Sequence, residues 1–150
     1  MQRRLATVDR HLDPRRRPQQ HDHGQSPGLA AADNTPAAKL RAFAADPEWA
    51  GQPVWMVNVL DLSDRAKYME YVQSLHTSGL LEKAGASVVL SGRARTVVGR
   101  NSYNHLIIVE YKSPQAMVEM VTSEAYQESG RIREQGLREC DTDPLLPPPP

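Results

Sequence analysis

The sequence predicts an α+β fold: a four-stranded antiparallel sheet in βαββαβ order, preceded by a short helix and covered by helices on one face. Three observations carry this. The run VWMVNVL, residues 54–60, is apolar at every position but Asn58 and rich in valine, as a central strand covered on both faces must be. The run NHLIIVEY, residues 104–111, has the same character. Segments with helical periodicity follow both runs.

Thr35 can cap, Pro36 suits the first helical position, and Leu40 and Phe43 recur at helical spacing until Asp46-Pro47 stops the helix. Gly51-Gln52-Pro53 is punctuation before the first strand. A helix is predicted over about residues 64–83, with Tyr68, Val72, Leu75 and Gly79 on one stripe, Met69 and Leu80 on its flank, and Gly85 as its stop. A second strand opens at Ser87–Ser91 and extends toward Val98, with a bend or bulge at Gly92. Gly99 to Ser102 is turn chemistry before the third strand. Ser113-Pro114 caps a helix carrying Ala116, Met117, Met120 and Val121, and Ser123 starts another that ends near Gly136. Pro144-Leu145-Leu146 reads as a short edge strand. The domain is placed at residues 36–147, between an arm, 1–35, and a polyproline tail, 148–150, which cannot pair in a sheet.

This order is the ferredoxin-like split βαβ pattern, with sheet order 4-1-3-2. Helices can cover only one face of such a sheet. Yet Trp55, Val57 and Val59 alternate with Val54, Met56, Asn58 and Leu60, so both faces of the first strand are apolar. An uncovered face would be a large apolar patch, and a second copy is the economical cover. A homodimer is expected, with its two sheets enclosing a cavity for a small-molecule ligand.

Composition excludes several classes. The 18 Lys and Arg balance the 18 Asp and Glu, and zero net charge argues against a general nucleic-acid binder. The longest apolar stretch, 54–60, is far short of the ~20 residues that span a bilayer, so no membrane partner is expected. A lone cysteine, Cys140, precludes an intrachain disulfide and fits a reducing, cytoplasmic location. The arm holds six Arg against four Asp and no aromatic residue, and is expected to be a disordered, solvated segment. Its Arg15-Arg16-Arg17 run reads as solvated charge, and His21-Asp22-His23 makes a poor metal site because ordering a floppy arm opposes binding. No GxGxxG, GxxxxGK[ST], GxSxG or HExxH motif occurs, and ligands for a closed zinc site are lacking; neither a cofactor nor a metal is expected.

The candidate chemistry rests on few residues. An amide inside a central strand needs a hydrogen-bond partner, so Asn58 reads either as a ligand-facing group in the cavity or as a clamp on neighbouring backbone. Glu110 shares the parity of Leu106 and Ile108; in an apolar cavity it would serve as a general acid or base, and at the strand end it would pair with Arg93 or Arg95. His105 and His76 are candidate bases that also read as boundary residues. The catalytic candidates are thus Asn58, Glu110, His105 and His76. Trp55, Tyr71, Arg93, Tyr111 and Tyr126 are the ligand-binding candidates, the tyrosines as lining for a flat aromatic molecule.

The segments PVWMVNVLDLSDRAKYMEYV, AGASVVLSGRA, NHLIIVEYKSPQAMVEMVTSEAYQES and GLRECDTDPLLP resemble domain of unknown function 1330, a family of the dimeric α+β barrel superfamily. The resemblance covers about residues 36–147. Its most telling pieces are Asn58, the group Tyr68, Glu70 and Tyr71, the run Val109 to Ser113, and the run Ser123 to Gln127. It implies a dimeric barrel whose relatives include cofactor-independent monooxygenases and cyclases of aromatic polyketide pathways, haem-degrading enzymes and proteins that only bind. The haem-degrading relatives use a histidine in the second helix, and residues 114–122 contain none. The expected function is therefore small-molecule binding, in the form of a cofactor-independent monooxygenase, cyclase or isomerase on an aromatic or polyketide-like substrate. The alternative is a non-enzymatic ligand-binding or accessory protein.

Overall fold

In chain order the elements are α1 (Pro36–Ala45), β1 (Val54–Leu62), α2 (Arg65–Thr77), α3 (Leu80–Lys83), β2 (Ser87–Arg93), β3 (His105–Tyr111), α4 (Pro114–Val121), α5 (Glu124–Gly136) and β4 (Leu137–Leu145). The computed structural model describes residues 35–150. The disorder expected of the arm, its Arg15–Arg17 run and its His21-Asp22-His23 cluster therefore lie outside the described residues.

Side-chain oxygens set where the helices start. Thr35 accepts from the Ala38 N–H, Asp64 from Lys67, Ser113 from Ala116 and Ser123 from Tyr126, all at 3.1–3.2 Å. Each occupies one of the orphan donors of a first turn. The helix predicted over 64–83 is broken: Gly79 takes φ 71°, the left-handed conformation that only glycine adopts cheaply, and divides α2 from α3.

The sheet order is β2-β3-β1-β4, the predicted 4-1-3-2, and every neighbouring pair is antiparallel. Two strand boundaries differ from expectation. β2 ends at Arg93, short of Val98, and its irregularity lies between Val88 and Leu90, away from Gly92. β4 spans nine residues, LRECDTDPL, where three were expected. An edge strand keeps one side in solvent, so charge replaces the apolar run that marks a central strand, and Pro144 costs no ladder bond there.

Alternation across the pleat sorts the two faces. Val54, Met56 and Leu60 of β1 and His105, Ile107, Val109 and Tyr111 of β3 are buried beneath the helices. They pack against Tyr68, Tyr71, Leu75, Met117 and Met120. Trp55, Val57, Val59, Leu106, Ile108 and Glu110 occupy the opposite, open face and are half-buried. Among the described residues no helix is long and apolar enough to cross a membrane.

Candidate functional site

The helix-covered face does not close completely over the sheet. A cavity of about 700 Å³ lies between them. Met56, Asn58, Ile107 and Val109 are its strand wall; α2 contributes Tyr68, Tyr71, Val72 and Leu75; α4 and α5 contribute Met117, Tyr126 and Arg133. Tyr111 of β3, Cys140 and Thr142 of β4, and Lys39 and Leu40 of α1 also line it. The volume falls within the range of small-molecule sites, ~300–1,000 Å³, and a mainly apolar wall with a few polar groups is the usual make-up of one.

Those polar groups are chiefly donors. The Tyr71 and Tyr126 hydroxyls meet at 3.0 Å, so one donates to the other and one O–H stays available. Burial pushes the Tyr68 phenol up to about 12 and raises Tyr71 and Tyr111 as well. All three keep their protons near neutral pH and act as donors, not bases. Arg133 is half-buried among them. Burial opposes its charge, but Tyr126, Tyr71, Cys140 and Tyr68 offset this and hold its pKa above the ordinary value.

Asn58 lies on the helix-covered face, so the expected placement in a cavity between two sheets is corrected. It has the parity of Met56 and Leu60, and it lines the cavity under the helices. Its amide is occupied by protein: Nδ2 donates to the carbonyls of Met56 at 3.1 Å and Ile107 at 3.3 Å, and Oδ1 accepts from the Thr142 hydroxyl at 2.8 Å. It ties β1 to β3 and β4.

Glu110 is not brought to the same ligand. It sits on the open face, where Oε2 accepts from the Trp55 indole N–H at 2.6 Å. Asn58 pairs with Ile107, and Glu110 lies an odd number of residues from Ile107 along β3, so Asn58 and Glu110 look in opposite directions. Trp55 goes with Glu110, away from the cavity. His76 is exposed in the last turn of α2, and Arg93 is exposed at the end of β2. Of the residues singled out from the sequence, Asn58, Tyr71, Tyr111 and Tyr126 meet at one cavity.

His105 is buried on the helix side but outside the cavity lining. Arg65 Nη1 lies 2.8 Å from its Nδ1, and Ser91 Oγ lies 2.9 Å from its Nε2. A guanidinium only donates, so Nδ1 is the acceptor and Nε2 carries the proton toward Ser91. A serine–base pair needs the reverse arrangement, with an acidic group holding a proton on Nδ1. This histidine cannot take a proton from Ser91; it links α2, β2 and β3.

The same network has a pH signature. Burial, then the Arg65 charge, lowers the His105 pKa below 6.5. The unfolded chain therefore binds a proton that the native state refuses, and stability falls as pH drops through about 6.5 toward the native value. Unfolding measured between about pH 7.5 and pH 5.5 should show this loss, and His105→Gln should flatten it. An unchanged slope in the variant would place the acid sensitivity elsewhere.

Arg133 was not singled out from the sequence, although a signal exists. It follows Tyr126 by seven residues on α5, the i, i+7 spacing of one helix face.

Sheet topology and cavity together define a ferredoxin-like α+β protein with a ligand-sized space beneath its helices. Residues 53–141 match the family model described as Domain of unknown function (DUF1330), and the chain belongs to that family. It is similar to a protein of unknown function from Rhodopseudomonas palustris, with 25% identity and TM-score 0.62 over 79% of this chain and 98% of that one. The methylated form of that protein gives 24% identity and TM-score 0.60 over 80% and 96%. A cofactor-independent oxygenase from Streptomyces nogalater aligns at 9% identity and TM-score 0.48 over 66% and 96%, too distant to carry an argument. No curated protein matched the chain.

Proposed function

We propose that this protein binds a small molecule with a largely apolar body in the cavity beneath its helices, with Tyr71, Tyr111, Tyr126 and Arg133 as contacting groups. The observation that carries the reading is the cavity of about 700 Å³ in which an apolar wall surrounds the Tyr71–Tyr126 hydroxyl pair. The lining suits binding better than acid–base turnover. Tyr68, Tyr71 and Tyr111 hold their protons, and the Asp141 carboxylate accepts the Tyr103 hydroxyl. A cofactor-independent monooxygenase, cyclase or isomerase acting on an aromatic or polyketide-like substrate is the enzymatic form of the same reading. Arg133 supports it, because a fixed cation stabilises charge that develops on a substrate oxygen. Mass spectrometry of protein purified under native conditions tests the proposal. A non-covalent ligand lost on substituting Val72→Trp, which narrows the cavity between α2 and the sheet, is the expected result; a ligand retained at full occupancy in that variant would place binding elsewhere.

We further infer that a second copy covers the open sheet face, with Val57 and Ile108, cross-strand partners, at its centre. Sedimentation at micromolar concentration should show a dimer. Val57→Glu should give a monomer, because a buried unpaired carboxylate costs several kcal/mol, roughly the 3–5 of a broken buried pair. A wild-type monomer would remove the argument.

A further inference from the structure

We propose that the ligand of this cavity carries a carboxylate and that Arg133 receives it. The inference rests on the binding reading above and names the chemical class that the cavity selects.

Arg133 carries a charge that the described residues do not pair. Among them the ion pairs are Lys67 with Glu70 and Arg138 with Asp61. Asp141 touches the same cavity, but it pairs in register with Val59, whose side chain belongs to the open face, and its carboxylate takes the Tyr103 hydroxyl. A basic residue in the last turn of a helix often serves the terminal carbonyls. Here that work is done otherwise: the Gly136 carbonyl accepts the Ser63 N–H at 3.1 Å and the Asp64 N–H at 3.3 Å. Arg133 instead lines the cavity beside Tyr68, Tyr71 and Tyr126.

The other polar groups leave the same vacancy for an acceptor. One hydroxyl of the Tyr71–Tyr126 pair has a free O–H. The Asn58 amide is engaged on both its nitrogen and its oxygen, so it does not compete as an acceptor for the cation. Tyr68 accepts one hydrogen bond from this guanidinium, whose remaining donors, beside the free O–H of the Tyr71–Tyr126 pair, match a planar oxyanion that accepts in two places, and the carboxylate is that group. Met56, Val72, Leu75, Ile107 and Val109 give the remainder of the ligand a mainly apolar wall, with Lys39, Thr122 and Gln127 also on the lining.

The test compares 2-naphthoate with 2-naphthamide, which share an apolar body and differ in charge, by calorimetric titration of the full chain. Wild type should bind the carboxylate about tenfold or more tightly than the amide, the worth of one charged hydrogen bond. Arg133→Gln should remove that preference, with the loss of affinity falling mainly on 2-naphthoate. Arg133→Met, which keeps the length of the apolar stem, is the second variant and should read the same if the first does not fold. Equal binding of the two probes by wild type would overturn the carboxylate inference while the cavity reading stands. A preference that survives in either variant would remove Arg133 from the site. Failure of wild type to bind either probe would overturn the cavity reading, and this inference with it.

Discussion

Gly136→Ala is expected to destabilise the fold by on the order of 3 kcal/mol, the upper range for overpacking plus lost hydrogen bonds. A Cβ at this position would lie 2.6 Å from the Tyr68 nitrogen, 2.7 Å from the Asp64 carbonyl oxygen and 3.2 Å from the Lys67 carbonyl carbon. All three are backbone atoms around the first turn of α2, so no side chain can swing aside. The end of α5 must therefore move off the start of α2. That movement breaks the bonds from the Ser63 and Asp64 N–H groups to the Gly136 carbonyl. Alanine is worth only about 1 kcal/mol more than glycine inside a helix, too little to offset this. Urea unfolding should show a lower midpoint with an unchanged slope. A variant as stable as wild type would mean that α2 and α5 tolerate a wider separation. Because Tyr68 and Arg133 flank this contact in sequence, ligand binding should weaken along with the fold.

The second large effect is expected at Asn104, just before β3. Its side chain completes the sheet where the ladder runs out. Oδ1 accepts the Leu62 N–H at 2.9 Å, and Nδ2 donates to the Leu62 carbonyl at 2.9 Å and toward Asp61 Oδ1 at 3.4 Å. One amide thus stands in for the next peptide unit opposite the end of β1. The Asn104 main chain continues the pattern, its N–H donating to Leu60 at 2.8 Å and its carbonyl accepting from Ala94 at 3.1 Å and Arg65 Nη2 at 3.2 Å. Asn104→Ala keeps the main-chain bonds and deletes the others, leaving the Leu62 peptide group without its partner. The expected cost is about 2–3 kcal/mol. Asn104→Asp should recover part of this, since its carboxylate still accepts from Leu62 but repels Asp61. Thermal unfolding of the two variants checks the order: alanine equal to wild type would show that water replaces the amide.

Much of this architecture was legible in the chain because it is encoded locally. VWMVNVL and NHLIIVEY announce central strands, since a strand covered on both faces can hold few polar side chains. Thr35, Ser113 and Ser123 announce helix starts, since each oxygen satisfies a donor within its own turn. Topology followed from element order. β4 was mostly missed because an edge strand has no apolar signature to read. The break at Gly79 was missed because the helical stripe continues through it in sequence while φ reverses in space.

At the candidate site the division is sharper. The residue types were visible: an amide in a strand, tyrosines at helical spacing, a carboxylate and two histidines. Periodicity, capping and turn chemistry act over a few residues, and they specify β1, β3 and the helix starts that carry most of these groups. Which of them meet is set by packing in three dimensions. It turned Asn58 under the helices and Glu110 away, placed a cation against the Nδ1 of His105, and brought Arg133 to Tyr71 across the α2–α5 contact that Gly136 permits. Those outcomes depend on which face each strand presents and on how closely two helices approach, and both are set by packing between segments distant in the chain.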